Sequence, residues 1–64
     1  MSKALIQPQY SAYLNGWDAQ HDGYTIEENP YEYYDHPYEW SEWRRGWMAR
    51  LGQAYEVQKE KEII

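Results

Sequence analysis

Two histidine–aspartate pairs, His21-Asp22 and Asp35-His36, are the residues of this chain that could reach for a metal ion or an acid–base step. Zinc needs three or four ligands at set spacing, and neither pair has a third ligand or an HExxH register. Ser2, Ser11 and Ser41 stand without a legible Ser-His-Asp arrangement. No Gly-rich phosphate loop is present, which argues against a kinase. The expectation is a protein that is not an enzyme, with no metal and no cofactor. Arg44, Arg45 and Arg50 lie within about two helical turns and could hold phosphate. Glu42 partly neutralises them, and ion pairing with acidic residues of the preceding loop is the stronger expectation for this patch.

The remaining chemistry is charge and aromatic surface. Between Lys3 and Arg44 there is no Lys or Arg, yet that span holds Asp18, Asp22, Glu27, Glu28, Glu32, Asp35, Glu39 and Glu42. The net charge is −5. Phosphate backbones are bound by Lys and Arg that release counterions, so direct nucleic-acid binding is disfavoured and a basic partner is favoured. Glu27, Glu28, Glu32, Asp35 and Glu39 are the candidate acidic contact face. Such a face either keeps the chain soluble or imitates phosphates in the groove of a nucleic-acid-handling protein. Tyr33, Tyr34 and Tyr38 are the candidate aromatic contacts, because tyrosine offers rigid amphipathic area at low entropy cost.

These residues need elements to position them. Sixty-four residues make one domain, and a core this small is hard to stabilise. With no cysteine there is no disulfide, and the substitute is four Trp and eight Tyr. Tyr10, Tyr13, Leu14 and Trp17 follow helical spacing, with Pro8 in the first turn and Gly23 past the end, which predicts a helix over 9–21. Residues 22–37 read as an ordered loop, since five tyrosines over 24–38 argue against disorder. Trp40, Trp43, Trp47, Leu51, Ala54 and Val57 predict a second helix over 38–60, with a Glu42–Arg45 pair along it. Residues 1–8 read as a flexible arm, 9–60 as a single helical domain and 61–64 as a frayed tail. No apolar run approaches a membrane span, and Met1–Ile6 lacks the apolar stretch of a signal peptide. The expected location is the cytoplasm, with no membrane contact.

Gly16 precedes Trp17 and Gly46 precedes Trp47. A helix-interior glycine costs about 1 kcal/mol against alanine, so two of them suggest a packing reason. The simplest is a helix crossing at which each glycine admits the partner's ring. The expected fold is therefore all-α: a two-helix hairpin closed by a long aromatic-rich ordered loop. Its expected core contains Gly16, Trp17, Pro30, Tyr31, Trp43, Gly46 and Trp47.

Gly16-Trp17-Asp18-Ala19, Gly23, Pro30-Tyr31 and Trp43-Arg44-Arg45-Gly46-Trp47 together resemble the ribosome modulation factor family over roughly residues 12–50. The resemblance implies a two-helix fold, non-enzymatic action and association with the ribosome. It also implies relatives in phages and mobile elements. The best-known members are strongly basic, whereas the first half of this chain is acidic. The expected partner is thus a protein or ribonucleoprotein complex with a basic surface. One alternative is an acidic nucleic-acid mimic of phage type, such as an anti-restriction or anti-CRISPR inhibitor. Another is a self-associating helical module, a homodimer joined through its excess aromatics.

Overall fold

The computed structural model describes the backbone of residues 3–63 and the side chains of residues 3–53. Two helices, α1 (Ala12–His21) and α2 (Pro37–Ile63), are joined by a segment containing one 3-10 turn, Ile26–Glu28. Among the described residues there is no strand. The fold is the expected two-helix hairpin with an aromatic loop packed across it.

The helix α1 begins later than its spacing predicts. The N–H of Tyr10 donates to the carbonyl of Gln7, so Pro8 lies in a turn and does not open the helix. Ser11 takes an extended backbone, and its Oγ accepts the N–H of Leu14 at 3.3 Å. That satisfies one of the donors a helix start leaves free. At the other end Gly23 adopts φ 91°. The N–H of Tyr24 bonds back to the carbonyl of Ala19 and that of Gly23 to Gln20, which ends the helix in a Schellman motif. Pro37 opens α2, where its missing N–H costs nothing.

The crossing forms at the two expected glycines, but by a different contact. A Cβ on Gly16 would collide with the carbonyl oxygen of Trp43 and lie 2.7 Å from its carbonyl carbon. A Cβ on Gly46 would collide with the carbonyl oxygen of Tyr13 and lie 3.1 Å from the backbone nitrogen of Trp17. Backbone therefore meets backbone, and the rings lie beside the crossing. As α1 runs from 13 to 16, α2 runs from 46 to 43, so the helices are antiparallel.

This close approach decides which face of α1 is buried. Asn15, Gly16 and Ala19 face inward, while Tyr10 and Leu14 of the expected apolar stripe are exposed. Only small or slender side chains fit between helices so close together. On α2, Trp43 is fully buried, Trp40 and Trp47 are half-buried, and Leu51 is exposed. Ala54, Val57 and the tail at 61–64 lie outside the residues whose side chains are described. Of the remaining expected core, Gly16 and Gly46 are buried, and Trp17, Pro30 and Tyr31 are half-buried. The indole N–H of Trp43 is buried and meets no hydrogen-bond partner among the described residues.

In the segment read as a flexible arm, residues 3–7 are docked on the hairpin and loop. Ala4 is buried against Ala19 and Trp43, and its N–H donates to the carbonyl of Glu28 at 2.8 Å. Asn15 reads the arm's backbone twice: its Oδ1 accepts from Gln7 N–H at 2.9 Å and its Nδ2 donates to the Gln7 carbonyl. The Gln7 side chain then reaches Asp18 at 2.9 Å. An alanine at position 4 can enter where a larger residue could not, and a buried asparagine then satisfies the arm's polar backbone.

Candidate functional site

The loop is held to the hairpin by three polar attachments. Trp47 Nε1 donates to the Tyr24 carbonyl at 2.8 Å. Asn29 is buried, its Nδ2 donating to the Trp40 carbonyl at 3.1 Å while its Oδ1 accepts the N–H of Tyr31 at 3.0 Å. Asn15 Nδ2 donates to the Tyr31 hydroxyl. Tyr31 thus closes the core, as its place after Pro30 suggests. The chain then turns through Tyr33, Tyr34 and Asp35, and the His36 N–H bonds to the Glu32 carbonyl before α2 begins.

This turn pushes rings outward. Tyr34 is 91% exposed, Tyr38 72% and Tyr33 58%. The Tyr33 ring packs edge-on against Tyr34, with centroids 6.2 Å apart, and edge-on against Trp40 at 4.9 Å. The Arg44 guanidinium lies over Trp40, 4.8 Å from the ring centroid. Tyr34, Tyr33, Trp40 and Arg44 therefore form one ladder from the loop onto α2. Beside it is an open groove of about 520 Å³, walled also by Ile26, Glu27, Asn29, Tyr31, Glu32 and Lys3. Tyr38 belongs to the same turn-to-helix junction but does not line the groove.

The acidic residues divide by what they do. Glu28 folds back on its own turn, its Oε1 accepting from Thr25 N–H at 2.7 Å and Thr25 Oγ1 at 3.1 Å, so it braces the 3-10 turn. Glu32 binds the ammonium of Lys3 at 2.5 Å. That contact, foremost the hydrogen bond and then the charge of Lys3, holds the Glu32 carboxyl below its ordinary range. Glu27 and Asp35 are exposed and Glu39 is half-buried. None of these three makes an ion pair among the described residues.

The arginines separate as well. Arg45 pairs with Glu42 at 2.9 Å along α2, as its spacing predicts. Arg44 stacks on Trp40, and Arg50 lies over Trp17 at 5.2 Å. The expected ion pairing with the acidic loop is thus replaced by pairing within α2 and stacking on indoles. His21 lies 3.4 Å from Asp22 at the surface, and His36 meets the edge of Tyr31. Among the described residues no group of His, Cys, Asp and Glu could hold a metal ion, and no helix is long and apolar enough to cross a membrane.

The structure brings Glu27, Glu32, Tyr33, Tyr34 and Arg44 to one groove. It keeps Glu28, Arg45 and Arg50 out of it. Four groove residues, Lys3, Ile26, Asn29 and Trp40, are not among the sequence-derived site residues. Lys3 is the first cation before a forty-residue acidic span, which was the available signal for an arm-to-loop pair. Trp40 reads as core because its spacing matches Trp43 and Trp47. Comparison with known proteins returns no match: no family model, no curated protein and no solved structure is similar to the chain.

Proposed function

We propose that this protein is a non-catalytic binding protein that occupies a basic surface on a larger macromolecular machine. The Tyr34–Tyr33–Trp40 ladder is the observation that carries this reading. Large exposed rings side by side are costly to leave in water, and tyrosine and tryptophan dominate the energetics of interfaces. Exposed Glu27 and Asp35 flank the ladder on a chain of net charge −5, which selects a basic partner.

The ribosome is the machine that the family resemblance implies. The residues carrying that resemblance build the helix crossing and, at Tyr31, close the core, which is in keeping with the two-helix fold it implies. Protein contact is favoured over RNA contact because Arg45 is neutralised by Glu42 while Arg44 and Arg50 rest on indoles. Nucleic-acid mimicry by the acidic face is the second reading. It is supported by exposed Glu27 and Asp35, and weakened because Glu28 and Glu32 spend their carboxylates internally.

The test is capture from a bacterial lysate by tagged protein, with and without nuclease, in parallel with Tyr34→Ala. Specific capture that Tyr34→Ala abolishes supports the proposal. Ribosomal subunits in the eluate identify the machine, whereas a nuclease-resistant complex with one DNA- or RNA-handling protein identifies the mimic. Capture unchanged by Tyr34→Ala, or self-association as the sole product, overturns the proposal.

A further inference from the structure

We propose that the groove beside the tyrosine ladder is a receptor for an arginine or lysine side chain of a basic partner segment, and that Lys3 occupies it as an internal placeholder. This rests on the binding reading above and names the chemistry the groove accepts. Its walls combine aromatic rings (Tyr31, Tyr33, Tyr34 and Trp40) with two carboxylates, Glu27 and Glu32. Ring faces attract cations, and a carboxylate adds a charge-assisted hydrogen bond.

The chain itself demonstrates the preference. Lys3 arrives from 29 residues away to place its ammonium on Glu32, and Arg44 lays its guanidinium on Trp40. Neither cation is buried: Arg44 is exposed, and the Lys3 and Glu32 side chains are 55% and 56% exposed. An ion pair this exposed contributes little, so an incoming cation can exchange with Lys3 at small cost. Glu27, on the same groove, has no ion-pair partner among the described residues and offers a second carboxylate. Arginine is the better fit of the two, because its planar fork both stacks on rings and pairs with carboxylates. The arm is anchored independently through Ala4 and Gln7, so removal of the Lys3 charge frees the Glu32 carboxylate without undocking the arm.

The experiment measures binding of a fluorescently labelled octa-arginine peptide by anisotropy to the full chain, Lys3→Gln, Arg45→Gln and Tyr34→Ala. Lys3→Gln and Arg45→Gln remove the same charge, but Arg45 pairs with Glu42 outside the groove. The expected result is a roughly threefold to tenfold tighter complex for Lys3→Gln alone, with weaker binding by Tyr34→Ala. Equal tightening by Lys3→Gln and Arg45→Gln would show general electrostatics and overturn the inference. So would binding that Tyr34→Ala leaves intact. Absence of peptide binding alongside specific capture of a lysate partner overturns the inference and spares the binding reading. The expected peptide pattern without any lysate capture sustains the groove and sinks the machine.

Discussion

Gly46 carries no side chain because the Tyr13 carbonyl stands where its Cβ would be, and Gly16 stands in the same relation to Trp43. Gly52, six residues on, has nothing within 4 Å of an added Cβ. The same substitution therefore has opposite signs on one helix. Gly52→Ala should stabilise by up to about 1 kcal/mol, the ordinary propensity gain. Gly46→Ala has to separate two backbones, and should destabilise by about 1–3 kcal/mol despite that gain. For a chain of this size each kcal/mol moves the melting temperature by roughly 4–8 °C. Thermal melts of the two variants should diverge, and a stabilised Gly46→Ala would remove the crossing from the account.

At the scale of elements, the arm and the loop are joined by Lys3 and Glu32. The Glu32 carboxyl titrates below its ordinary value when the arm is docked, because the folded state holds it as the charged partner of Lys3. A depressed carboxylate contributes its stabilisation above the unfolded value and loses it as pH falls through the folded one. The contact should therefore be complete above the ordinary glutamate value of 4.5 and be lost as pH falls below it. The pair is exposed, so the global melt should barely register it. Chemical shifts of Lys3 and Glu32 followed down in pH should report the release, and Glu32→Gln should abolish that titration. Ala4, held by burial and a backbone hydrogen bond, should keep its shift through the same range.

Over the whole molecule, one polar side chain ties three parts of the chain together. Asn15 is 2% exposed and links α1 to the arm through Gln7 and to the loop through Tyr31. Asn15→Ala would leave the Gln7 N–H without its acceptor and Tyr31 without its donor. An abandoned buried polar group costs about 1–3 kcal/mol. The expected outcome is a loss of that order in denaturant unfolding, together with faster amide exchange at Ala4, Gln7 and Tyr31. A variant that loses stability while those amides stay protected would show that Asn15 merely fills space.

Much of the architecture was legible in the residues. Pro37 and Gly23 mark helix ends, because the φ each favours is decided by its own covalent structure. Glycines at 16 and 46 announce a close approach, because a helix tolerates such residues only where something needs the space. Tyrosines after Pro30 mark an ordered surface turn. Other features depended on groups far apart in the chain. The spacing of Tyr10, Tyr13 and Leu14 marks one side of α1 as apolar, yet the glycine crossing turned a neighbouring, smaller face inward. The arm looked unanchored until Ala4 met Trp43 and Asn15 met Gln7. Charge alone sends Arg50 to a carboxylate, but the hairpin brings the Trp17 indole beneath it. Local spacing governs contacts within a turn or two of helix, and thereby determined that two helices form and where α1 ends, while the two glycines marked the crossing. The groove joins Lys3, Glu32 and Trp40 across the fold, so only the angle and closeness of the two helices could decide it.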